Sequence, residues 1–307
     1  MNLIETSALA KRYRRTWALR DCSLAVPAGH VTALVGPNGA GKTTLLNLAA
    51  GLLRPSSGRI CVLDGERPGS DGARARIGFV AQDAPLYGHL SAGEMLHLAR
   101  NLNHTWDGGR AMARLAELGI PADRKVRRLS GGQRAQLALT IAIARRPEAL
   151  VLDEPMASLD PLARHDLMGS LMAAVAEDGL SVVFSSHVVS ELERVADYLV
   201  VLNEGRLQVP GEVDALLAAH RILTGPGGEM ALDANRLAVV HASQAAAQAH
   251  MLVRLMAPGD PATPGWQSRP ASMEDLVLGY LRDPRASMLP GPGPGPGPAA
   301  RGAAVTA

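Results

Sequence analysis

The segment that most restricts the fold is Gly36-Pro37-Asn38-Gly39-Ala40-Gly41-Lys42-Thr43, preceded by VTALV and followed by Thr44 and LLNLAAGLL. The run before the glycines predicts a short buried strand, and the apolar spacing after Lys42 predicts a helix. Glycines at this junction let backbone N–H groups curl around a phosphate chain, and the helix N-terminus adds a favourable dipole. Lys42 then reaches the β- and γ-phosphates, and the Thr43 hydroxyl is placed to ligate Mg²⁺.

Other runs fit the same architecture. EALVLDE and LSVVFSS read as core strands, with PLARHDLMGSLMAAVAEDG between them as a crossover helix. Such alternation predicts an α/β fold, a mostly parallel sheet covered by helices. LIETSALA and LRDCSLAV near the N-terminus read as further strands, and Pro27-Ala28-Gly29 as a turn. Between Gln82 and Leu150 strand signals vanish, and SAGEMLHLARNLN, GGRAMARLAELG and GGQRAQLALTIAIARR show helical spacing. The expected organisation is a main domain over 1–210 containing a helical subdomain at about 83–146. A small α+β appendage follows over 211–285, with RLAVVHASQ and HMLVRLM as strands and Ser272 capping the helix in ASMEDLVLGYLRD. Residues 286–307 form a Pro/Gly/Ala-rich tail whose Pro-Gly alternation has period 2. That period excludes a collagen repeat, and a disordered tail is expected.

Composition narrows the function. A net charge of +2 on 307 residues argues against a broad basic surface, so no nucleic-acid partner is expected. Two cysteines, Cys22 and Cys61, exclude a disulfide scaffold and suit buried packing. No apolar run reaches the ~18 residues that span a bilayer, and the N-terminus lacks a signal-type apolar core, which predicts a cytosolic chain. Lys42 is one of only three lysines, beside Lys11 and Lys125. Only nine residues are aromatic, 3 Trp, 4 Tyr and 2 Phe, which makes any aromatic near the chemistry informative.

Two further motifs carry chemistry. Leu150-Val151-Leu152 ends in Asp153 and Glu154. An acid at the carboxyl end of a core strand beside a phosphate loop can hold Mg²⁺, and the next can polarise a water, so Asp153 is assigned to metal and Glu154 to water. Leu129-Ser130-Gly131-Gly132-Gln133 reads as a Ser-capped helix start with free N–H groups, a second anion cradle.

With these motifs in this order, residues 1 to about 220 resemble the ATP-binding subunits of ABC transporters. The resemblance implies that Ser130, Gly131, Gly132 and Gln133 form the signature motif, which contacts the γ-phosphate of the ATP held by the other protomer of a head-to-tail dimer. It further implies that Tyr13 stacks on adenine, with Trp17 as rival, and that Gln82 approaches Mg²⁺ and the attacking water. Ser158-Leu159-Asp160 resembles the loop that crosses the dimer interface in that family, although the preceding EPMA departs from the commoner Thr-containing form. By the same resemblance His187 corresponds to the switch histidine, which implies contact with the γ-phosphate and a hold on Glu154. The implied cofactors are ATP and Mg²⁺. The implied partners are a second ATPase subunit, identical or not, and a separately encoded integral membrane permease, with the chain at the cytoplasmic membrane face. Tyr87, His89 and Leu90 are the docking candidates. SMEDLVLGYL resembles the segment following the cassette in drug- or antibiotic-type exporters, which points to export.

Overall fold

The structure is a computed structural model and describes residues 1–226, 236–245, 248–256, 265–283 and 286. The Pro-Gly alternation lies outside these residues.

The chain begins with β1 (Asn2–Tyr13), β2 (Thr16–Pro27) and β3 (Val31–Val35), followed by α1 (Lys42–Ala49), β4 (Ser57–Val62), α2 (Asp71–Arg76) and β5 (Ile77–Val80). Helices α3 (Ala92–Leu102), α4 (Gly108–Glu117) and α5 (Gly131–Ala144) come next, then β6 (Ala149–Leu152), α6 (Pro161–Asp178) and β7 (Ser181–Ser186). Then come β8 (Tyr198–Asn203), β9 (Arg206–Glu212), α7 (Val213–Ala218), β10 (His220–Pro226), β11 (Leu237–Ala245), β12 (Gln248–Leu255), β13 (Gln267–Pro270) and α8 (Met273–Arg282).

The central sheet has the order β5-β6-β7-β3-β8-β9, parallel except for the last strand. Every residue of β3, β6 and β7 is buried, as expected of parallel strands covered on both faces. One face packs against α1 and the antiparallel sheet β2-β1-β4 through Leu45, Leu46, Leu3 and Leu24. The other packs against α5 and α6 through Leu139, Leu167 and Leu171. Helices α3 and α4 pack on α5 around Leu96, Leu115 and Leu137. The amphipathic spacing that predicts helices between Gln82 and Leu150 therefore marks a second core attached to the sheet by α5. The fold is the expected one: a P-loop α/β core with an antiparallel β subdomain, an inserted helical layer and an α+β appendage.

The appendage is a four-stranded antiparallel sheet, β11-β12-β10-β13, with α8 laid across one face. Pro270 falls on the edge strand β13, where a missing N–H costs nothing. Leu276, Val277 and Tyr280 of α8 belong to the same hydrophobic cluster as Leu199 and Val201 of β8, and Asn203 Nδ2 donates to the Leu281 carbonyl at 2.9 Å. Strand β9 runs on to Glu212 and leads directly into α7, so sheet and appendage share one core. Cys22 is buried as expected, whereas Cys61 is only half-buried because it sits on β4, the edge of its three-stranded sheet.

Candidate functional site

Strand order assembles the site. Lys42 follows β3 and Asp153 follows β6, and between those strands lies β7, whose carboxyl end carries Ser185, Ser186 and His187. Three sequence-distant segments thus converge at one edge of the sheet, where ligands bind in open α/β folds.

The loop from Gly36 to Gly41 needs its glycines. A Cβ at Gly36 would stand 2.2 Å from the Leu202 carbonyl oxygen. One at Gly41, whose φ is +105°, would stand 2.5 Å from the Ala18 oxygen. Pro37, Asn38, Gly39 and Ala40 complete the turn, with the Ala40 N–H donating to Pro37 at 3.1 Å. Lys42 is 4% exposed, and its ammonium reaches the carbonyls of Gly36 at 2.8 Å and Pro37 at 3.3 Å and the Glu154 carboxylate at 3.1 Å. All three ammonium protons have acceptors, which holds the charge beneath the loop. Thr44 lies on the first turn of α1, beside Thr43.

Asp153 and Glu154, 2% and 9% exposed, take different partners. Asp153 Oδ1 accepts from Thr43 Oγ1 at 3.2 Å and from Ser185 Oγ at 2.8 Å. Glu154 Oε2 lies 3.2 Å from His187 Nδ1, and because the carboxylate only accepts, that nitrogen carries the proton. The Glu154 backbone has φ +42°, a left-handed conformation costly for a residue with a Cβ. Its N–H donates to Ser185 Oγ at 2.8 Å, so one fully buried hydroxyl anchors both acids. Sequence reasoning missed Ser185, which there is one polar letter in a strand, and only the placement of β7 reveals its role.

Hard oxygen donors, the exposed Thr43 hydroxyl beside the Asp153 carboxylate, fit Mg²⁺, which binds through few protein oxygens and leaves places for phosphate and water. The exposed Gln82 follows β5 and lines a cavity with Gly131, Pro155 and Ser158, apart from the Thr43–Asp153 contact. Asp160 caps α6, accepting from the Ala163 N–H at 2.9 Å, with Pro161 at the first helical position.

The helix start at Ser130 is capped as its sequence predicts. Ser130 Oγ accepts from Gln133 N–H at 3.1 Å, and Gln133 Oε1 accepts from Ser130 N–H at 3.2 Å, a reciprocal capping box. Gly131 and Gly132 back onto Leu159 and Ala163, and a Cβ at Gly132 would meet that of Ala163 at 2.8 Å. The signature segment therefore packs on the Asp160 loop of its own chain.

Tyr13 and Trp17 flank the β1–β2 turn, where Tyr13 pairs with Thr16 and Arg12 with Trp17. Tyr13 is 45% exposed with the Lys11 ammonium 5.3 Å from its ring centre, whereas the Arg12 guanidinium lies over Trp17 at 5.4 Å. The close approach of Ala18 to Gly41 brings this strand end against the phosphate loop.

Comparison with known proteins agrees with this construction. The ABC transporter family pattern matches residues 19–157. An uncharacterized ABC transporter ATP-binding protein of Nostoc sp. is 35% identical over 234 residues, covering 71% of this chain and 69% of that protein. A sulfate/thiosulfate import ATP-binding protein of Synechococcus elongatus is 39% identical over 214 residues, 68% of this chain and 62% of that one. A solved dimeric ATP-binding cassette in a post-hydrolysis state, bound to ADP and Pi, matches with a TM-score of 0.61 at 26% identity, covering 68% of this chain and 98% of that chain. The chain thus spans 62 to 69% of the length of these curated relatives. With the phosphate loop, the paired acids and the signature segment in place on this fold, the chain belongs to the ATP-binding proteins of ABC transporters and is an ABC ATPase.

Proposed function

We propose that two copies of this ATPase close head to tail around two ATP molecules and drive a separate membrane permease from the cytoplasmic face. The observation that carries the reading is Glu154, held between Lys42 and His187 at the sheet edge while the signature cradle sits on the Asp160 loop. One nucleotide does not need two cradles, and a head-to-tail pair uses both. Because one chain carries both halves, identical chains complete two sites.

The Gly36–Thr43 loop binds the phosphates, and Tyr13 stacks on adenine, worth ~1–3 kcal/mol. Thr43 and Asp153 would hold Mg²⁺, which when bound would neutralise charge at the phosphates, and Gln82 would approach it from its loop. Glu154 orients a water and takes its proton as the water oxygen bonds to the γ-phosphorus and the bond to the ADP oxygen breaks. His187 donates to Glu154 through Nδ1 and thereby fixes the carboxylate. Ser130 to Gln133 of the facing copy hold the γ-phosphate from the other side, and product release reopens the pair.

No helix among the described residues is long and apolar enough to cross a membrane. In this reading the path across the membrane is supplied by the permease. The appendage helix motif SMEDLVLGYL supports export. Import is the second reading, favoured by the sulfate/thiosulfate import relative. Light scattering with ATP is expected to show a dimer, and co-purification to recover a multi-span membrane protein. ATP-dependent flux with that partner in inside-out vesicles then reads direction. Accumulation in the lumen is the expected outcome, and depletion of the lumen establishes import.

A further inference from the structure

A cavity of about 150 Å³ lies beneath the Gln82 loop, apart from the Lys42 phosphate cradle. Its inner wall is apolar and buried, formed by Leu139 of α5, Leu152 of β6, Leu167 of α6 and Phe184 of β7. Exposed polar residues, Gln82, Asp83, Arg134 and Ser158, stand around its mouth. None of the buried side-chain polar atoms left without a hydrogen-bond partner belongs to its lining. The space opens to solvent at this polar mouth, and its apolar inner end has the volume to seat a benzene-sized ring.

We propose that this cavity binds a ligand presenting one aromatic ring, and that a ring seated there slows ATP turnover. The walls supply the coupling. Gln82 and Ser158 lie on loops flanking the catalytic acids, and Gly131 opens the helix whose N-terminus is the signature cradle. A rigid ring fixes the spacing between these walls, while the polar mouth leaves one substituent in solvent. The binding half stands on the cavity alone, and the turnover half rests on the ATPase function.

Indole is the probe. Ligand-observed NMR on the full chain without nucleotide is expected to show saturable binding, and steady-state ATPase with indole at saturation to show kcat falling ~10-fold, since a misplacement of about 1 Å costs up to ~100-fold. Ala135→Leu, on the cavity wall of α5, fills the space and is expected to abolish binding. Met168→Ala, on the α6 wall, enlarges it and is expected to shift preference towards naphthalene. Absence of saturable binding to the wild-type chain, or equal indole affinity in both variants, overturns the site. Saturable binding with unchanged kcat overturns the coupling, and because the NMR arm contains no ATP, the two failures are distinguishable.

Discussion

Replacing Ser185 by Ala tests whether one buried hydroxyl holds both acids. Ser185 Oγ donates to Asp153 Oδ1 at 2.8 Å and accepts from the Glu154 N–H at 2.8 Å, on a residue with no solvent exposure. The first bond involves a carboxylate and is worth about 1.5–3 kcal/mol, and loss of the second strands a buried N–H at about 1–3 kcal/mol. The two share a centre and do not add fully, so the expected destabilisation is ~2–4 kcal/mol. Freed of its anchor, Glu154 is expected to relax from φ +42°, moving its carboxylate away from His187 Nδ1. Loss of an orienting partner of this kind typically costs ~10–100-fold in activity. Urea unfolding followed by circular dichroism measures the stability change, and a coupled-enzyme ATPase assay separates kcat from KM. The expected signature is a fall in kcat with KM for ATP nearly unchanged. Stability within ~0.5 kcal/mol of wild type together with an undiminished kcat refutes the reasoning.

Three other outcomes are expected. His220 is fully buried, donating through Nδ1 to Leu216 O at 2.6 Å and accepting at Nε2 from the Tyr280 hydroxyl at 3.0 Å, and burial lowers its pKa from 6.5 to about 4. The unfolded chain therefore binds the extra proton between these values, and the His220 contribution is whole above pH 6.5 and lost as pH falls towards 4, by ~2 kcal/mol at pH 5. Urea midpoints of wild type and His220→Gln at pH 7 and pH 5 check this, with the variant showing the smaller loss. Gly36→Ala places a Cβ 2.2 Å from Leu202 O and is expected to abolish binding of a fluorescent ATP analogue. Tyr13→Ala is expected to weaken ATP binding by ~1–3 kcal/mol in the same titration, and Trp17→Ala to weaken it less.

The local motifs were legible because their chemistry is contiguous. The glycine loop, Asp153-Glu154 and the Ser130–Gln133 segment each lie within a few residues, and each takes the local form that the sequence predicts: a loop opening a helix, the end of a buried strand and a Ser-capped helix start. Strand order was not legible, because pairing β7 between β3 and β6 is decided by packing across distant segments. Ser185 was hidden for that reason, as was the left-handed backbone of Glu154, which no spacing rule anticipates. Likewise the sequence separates an appendage by its change of pattern near Pro210, yet α8 shares the core of the sheet through Leu276 and Tyr280. Solvent exposure of Cys61 follows from its place on an edge strand, and that place depends on the pairing of β4 with β1 alone.

The central claim is that Glu154 activates water for attack on the γ-phosphate. Single-turnover hydrolysis of radiolabelled ATP by Glu154→Gln, with nucleotide binding and dimerisation measured on the same preparation, tests it most directly. The account predicts retained ATP binding, an accumulating ATP-bound dimer and a chemical step slowed ~10²–10⁴-fold. Near-wild-type hydrolysis by a variant that binds ATP normally would contradict it.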